Sequence, residues 1–154
     1  MNKYIGVKMI EAEPMRERTF LSEVKGQDVS NREDRHGYKV VYPDDYVSWS
    51  PKDVFEEAYR ETNGMTFGLA MEAAKKGNKI ARPGWNGRGM FVVYQKGYPQ
   101  GIPCNKQTAE VFGINEGDLF ICNPYLQIKN VDGSCSMWVP SINDCLADDW
   151  QIVE

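Results

Sequence analysis

Ala81-Arg82-Pro83-Gly84-Trp85-Asn86-Gly87-Arg88-Gly89-Met90 is the stretch on which the reading of this chain turns. Four of its ten residues are Gly or Pro, so the backbone must bend there. It also carries two arginines, an indole and a side-chain amide. Two readings follow. Asn86-Gly87 between apolar runs is a hairpin signal, with Trp85 closing over the core beneath. Alternatively, Arg forks match phosphate, the indole stacks on a base, and Asn86 reads a polar edge.

Working outward, Asn78–Ala81 is short and β-like, and Met90–Tyr94 is a strand apolar on both faces, hence central. Upstream, Thr66 caps a helix whose Phe67, Ala70, Met71 and Ala74 share one face. Lys75 and Lys76 suit its C-terminal end and Gly77 releases it. Downstream, 97–103 is turn-rich and Lys106–Phe112 is a short helix. Leu119–Cys122 and Tyr125–Lys129 are strands, Asp132-Gly133 is a hairpin turn, and Ser134–Val139 returns from it. A helical turn starts at Ser141, and Trp150–Val153 is a closing strand.

The first part reads as a separate unit. Residues 3–13 alternate as a strand ending before Pro14, and the charged stretch 15–37 is a loop or short helix. Tyr38–Tyr42, Pro43-Asp44-Asp45 and Tyr46–Trp49 make strand, turn and strand. Ser50 then caps a helix with Pro51 at its first position, and Val54, Phe55, Ala58 and Tyr59 share a face. Asn63-Gly64 stops it. The fold class is therefore α+β: small antiparallel sheets with short helices in two compact units, residues 1–64 and 65–154.

Composition narrows the function. The 154 residues are 42% apolar, with 18 basic and 22 acidic side chains and a net charge of −4. Residues 1–64 carry net −3 and the remainder −1, so a phosphate site must be local, and a DNA-coating role is disfavoured. No apolar run reaches the ~20 residues of a membrane span, and the start is no secretory signal. The chain reads as a soluble intracellular protein. Cys104, Cys122, Cys135 and Cys145 lack metal-ligand spacing and the single histidine, His36, lies far from them, so free thiols are expected and no metal or cofactor.

Trp138-Val139-Pro140-Ser141-Ile142-Asn143-Asp144 is a second aromatic and polar cluster. Ser141 with Asp144 is either a helix-capping pair or, with Asn143, a set of partners for ribose hydroxyls; Trp138 is either core or a second stacking face. Asp148-Asp149 reads as a solvated turn, with room for a structural hydrogen bond. Hydrolase, phosphate-loop and zinc-protease motifs are missing, and the glycine-rich bend lacks dinucleotide-fold spacing. Recognition without conversion is what remains.

Met65-Thr66-Phe67-Gly68-Leu69-Ala70-Met71-Glu72-Ala73, the 81–91 bend, Pro124-Tyr125-Leu126, Asp132-Gly133, Trp138-Val139-Pro140-Ser141 and Leu146-Ala147-Asp148-Asp149-Trp150 resemble, in order, the second family of phage Thoeris anti-defence proteins. Residues 1–64 resemble a small phage domain with no established activity, an accessory or oligomer-shaping module. The resemblance implies a sponge in the cytoplasm of an infected bacterium. Such a protein binds a cyclic ADP-ribose-type signal (glycocyclic ADP-ribose made by TIR proteins) without cleaving it, and in some members cyclic oligonucleotides at a separate site. It also implies a homotetramer with ligand between subunits. Carried across, Trp85 stacks on the ligand, Asn86 reads a polar edge, Arg82 or Arg88 pairs with pyrophosphate, and Met90 lines the site. Ser141, Asn143, Asp144 and Trp138 hold the ribose side. Ile142 departs from the family's Ser-Gln-Thr-Asp pattern and removes a polar contact. The competing classes are a phosphodiesterase or glycohydrolase acting on the same signal, and a structural or host-protein-binding module.

Overall fold

The computed structural model describes residues 1–154. The chain divides into two compact units, Met1–Glu61 and Thr62–Glu154, each built from small antiparallel sheets and short helices.

In the first unit, β1 (Glu11–Pro14), β2 (Gly37–Val41) and β3 (Val47–Pro51) form an antiparallel sheet in that order. The alternation at residues 3–13 predicts more strand than forms. Glu11 pairs with Val41, the last residue of β2, and the chain then turns at Tyr42–Tyr46. The β1–β2 ladder starts at Glu11, so residues 3–10 are not strand, and alternation alone does not make one. A helical turn, α1 (Glu17–Thr19), runs into a π-helical segment at Phe20–Val24, where Phe20 is buried. Helix α2 (Lys52–Ala58) stacks Phe55 on Tyr38 at 4.2 Å and on Tyr59 at 5.0 Å. Its N-cap is Pro51 and not Ser50, whose hydroxyl donates to the Pro51 carbonyl. The β3 ladder holds Ser50 opposite Tyr38, which removes it from the capping position.

The second unit is organised by a five-stranded antiparallel sheet. Its strands are β4 (Lys79–Ala81), β5 (Phe91–Gln95), β8 (Tyr125–Lys129), β9 (Cys135–Trp138) and β10 (Gln151–Val153), in the order β10-β4-β5-β8-β9. Helix α3 (Phe67–Lys75) starts at Thr66, whose hydroxyl accepts from the Leu69 amide. Its small face, Ala70, Ala73 and Ala74, lets the helix approach Ile80, Val92 and Ile128 closely. Trp150 is fully buried in this core and bridges back to Met65 through paired backbone hydrogen bonds. Residues 97–103, read as turns, instead form β6 (Tyr98–Pro103), paired with β7 (Leu119–Cys122). A register shift between Tyr98 and Ile102, with Gly101 at φ +89°, absorbs Pro99 and the glycine as a bulge. Helix α4 (Lys106–Phe112) lies between these strands, and α5 (Ile142–Leu146) lies between β9 and β10.

No helix is long and apolar enough to cross a membrane. The four cysteines are free thiols, with Cys104 buried.

Candidate functional site

The 81–90 stretch is not a tight hairpin. β4 ends at Ala81 and β5 begins at Phe91, so residues 82–90 form a wide loop. Asn86 and Gly87 do not take the positive φ that a two-residue hairpin turn demands; Gly89 does, at φ +73°. Gly87 serves a different need, because a Cβ there would collide with Val131 and the Met90 thioether.

Trp85 is the pivot of the loop. Its ring centroid lies 5.4 Å from Trp150 at 86° and 5.9 Å from Trp138 at 62°, with Trp138 and Trp150 themselves 6.1 Å apart. These are edge-to-face contacts, so neither indole lies parallel on a face of Trp85. The Trp85 indole N–H donates to Asp144 Oδ1 at 3.2 Å, and the Trp150 indole N–H donates to the Asp144 carbonyl at 2.9 Å. Asp144 therefore ties the loop to the core.

Arg82 completes the knot. Its Nη1 donates to Asp144 Oδ1 at 2.9 Å, and its Nε and Nη2 donate to the two oxygens of Asp149 at 2.6 and 3.4 Å. The bonds to Asp149 and then to Asp144 raise the pKa of the guanidinium. Burial alone pushes the Asp144 carboxyl up, but bonds from Ser141, Arg82 and Trp85 outweigh it and hold the group at about 2. Ser141 and Asp144 also form a full capping box at the start of α5. The Asp144 amide donates to Ser141 Oγ at 3.1 Å, and Asp144 Oδ2 accepts from the Ser141 amide at 3.0 Å and from its hydroxyl at 2.7 Å. The capping role of this pair is realised in the fold.

An open pocket of about 310 Å³ lies beside this knot, lined in part by Arg82, Trp85, Arg88, Met90, Phe91 and Val153. Four of the nine residues read from the sequence therefore share it: Arg82, Trp85, Arg88 and Met90. Trp138, Ser141 and Asp144 do not line it, though Trp138 and Asp144 touch Trp85. Asn86 and Asn143 are exposed and also lie outside the lining. Arg88 is exposed and has no carboxylate within ion-pair distance.

A structural hydrogen bond at the Asp148-Asp149 turn was legible, but not that Asp149 grips Arg82, nor that Phe91 and Val153 reach the pocket from β5 and β10. The adjacent acids Asp148 and Asp149 were visible; which of them meets an arginine 67 residues away was not.

A tryptophan-centred α+β domain with a cationic, glycine-rich loop beside an open pocket is thus the class to be placed. The model of the Tad2-like family (Thoeris anti-defense 2-like domain) matches residues 65–153, and the chain belongs to that family. A relative, Thoeris anti-defense 2 of Bacillus phage SP01, is 37% identical over 93 residues, covering 58% of this chain and 94% of that protein. The chain is thus a Thoeris anti-defense 2-like protein with a further unit, residues 1–61, ahead of the matched range.

Proposed function

We propose that this protein captures a cyclic ADP-ribose-type immune signal, such as glycocyclic ADP-ribose made by TIR proteins, and holds it unchanged, so that Thoeris immunity is starved of its messenger. The observation that carries the reading is the family match across residues 65–153, with Trp85 and Arg88 in the pocket lining. Trp85 and Met90 offer apolar contact, Arg88 and Asn86 polar contact, and Asn143 with the outer lone pair of Ser141 serves the ribose side. Trp138, Asp144 and Arg82 hold Trp85 and the loop in place.

Sequestration demands affinity. A nanomolar dissociation constant is about −12 kcal/mol. A pocket of about 310 Å³ is at the small end for a nucleotide-sized ligand and open to solvent. Closure by a second subunit, in a homotetramer with ligand at the interface, supplies the missing wall. Residues 1–64 are assigned an accessory role in shaping that assembly. Cyclic oligonucleotides at a separate site are a further ligand class for the same protein.

The test is to incubate the protein with the TIR product, remove free ligand, denature the protein and weigh the released molecule by mass spectrometry. Recovery of the intact cyclic mass is expected. Linear or ring-opened product would replace the reading with a phosphodiesterase or glycohydrolase, and no retained nucleotide would replace it with a protein-binding module.

A further inference from the structure

Arg82, the arginine most deeply set in the pocket, is already neutralised. It faces Asp144 at 2.9 Å and Asp149 at 2.6 Å, one cation against two carboxylates. An incoming pyrophosphate meets net negative charge at that trio, and Arg82 can reach it only by abandoning charge-assisted bonds it already has.

The other side of the pocket differs. Phe91, in the lining, stands opposite Lys129 in the β5–β8 register. Lys79 on β4 is two residues from Ala81, another lining residue, so strand alternation puts it on the same sheet face. This face lies opposite the one that buries Ile80, Val92 and Ile128 against α3. Both ammonium groups lie over the Phe91 ring, Lys79 at 5.3 Å and Lys129 at 5.9 Å, and Lys129 also donates to the Gly89 carbonyl at 3.3 Å. Neither lysine has a carboxylate within 4.0 Å. The two lysines reach the pocket through Phe91 and are not in its lining themselves; Arg88 and Glu154 are, and Asp132, beyond ion-pair distance, still feels the charge of Lys129.

We propose that Lys79 and Lys129 over Phe91, together with Arg88 in the pocket lining, form the pyrophosphate-binding side of the pocket, and that Arg82 is a positioning residue for Trp85. This rests on the reading of the pocket as a nucleotide site. Parking each ammonium on an aromatic face keeps it near the pocket without committing it to a carboxylate. On meeting the ligand's phosphates, each ammonium exchanges a weak cation–π contact for charge-assisted hydrogen bonds.

Inorganic pyrophosphate and the cyclic ADP-ribose-type signal serve as separate probes of the full-length protein. Pyrophosphate is expected to shift the backbone amide resonances of residues 79, 88, 89 and 129. Lys79→Gln with Lys129→Gln is expected to abolish those shifts, and to weaken signal binding by calorimetry about tenfold or more, with a flatter salt dependence. Circular dichroism and the indole N–H resonances of Trp85 and Trp150 report whether the variant keeps its fold. Failure of the wild type to bind the cyclic signal defeats the sponge reading, while the pyrophosphate shifts still decide the anion site. Equal signal affinity in wild type and folded variant overturns the proposal. So do absent pyrophosphate shifts, or shifts confined to Arg82, Asp144 and Asp149.

Discussion

Replacing Asp144 by Asn tests the knot that holds the loop. The side chain is 13% exposed and accepts from Arg82, Trp85 and Ser141. Its carboxyl is lowered from an ordinary 3.8 to about 2. At about 1.36 kcal/mol per unit, this amounts to roughly 2 kcal/mol favouring the ionised folded state. The folded value lies below the unfolded one, so the stabilisation is complete above about pH 4 and disappears as pH falls from about 4 to about 2. Asn keeps one acceptor but cannot take the Ser141 amide and Arg82 Nη1 together. At pH 7 the variant is expected to be about 2 kcal/mol less stable, on the order of 10 °C in Tm for a unit of this size. The assay is urea unfolding followed by tryptophan fluorescence in a Trp49→Phe background, which confines the signal to Trp85, Trp138 and Trp150. Measured from pH 7 to pH 2, the gap between parent and variant should close at the acid end. A gap of constant size would refute the ionic account and leave only packing.

Trp85→Ala with Asn86→Ala should leave α3 and the sheet folded while abolishing capture of the cyclic signal in native mass spectrometry; undiminished capture would remove these residues from the site. Gly89→Ala forces a side chain into φ +73° and should cost about 1–2 kcal/mol in the same unfolding assay. Trp150→Ala, which removes the buried centre of the indole cluster, should cost about 3–5 kcal/mol. Ser141→Ala should cost about 1 kcal/mol through loss of the capping box, with little change if α5 is held by its packing instead.

Much was settled by local chemistry. The Thr66 cap, Ala70 and Ala74 on the buried face of α3 (where Ala73, not Met71, is the third), the α4 boundaries at Lys106 and Phe112, the Asp132-Gly133 turn and the Ser141–Asp144 box are written in short-range patterns, because each satisfies nearby backbone groups or one face of one element. The order of separated motifs also marked the family before any coordinates. Tertiary structure decided whatever depends on partners distant in the chain. Residues 3–10 alternate like a strand but lie ahead of the β1–β2 ladder, while Tyr98–Pro103 reads as turns but is held by β7. Above all, Arg82 looked free for phosphate until the fold set Asp144 and Asp149 against it, and nothing in the sequence singles out Lys79 and Lys129, which the sheet gathers over Phe91. A sequence lists its charges, but which of them neutralise one another depends on distances of a few ångströms between residues tens of positions apart, and only folding sets those.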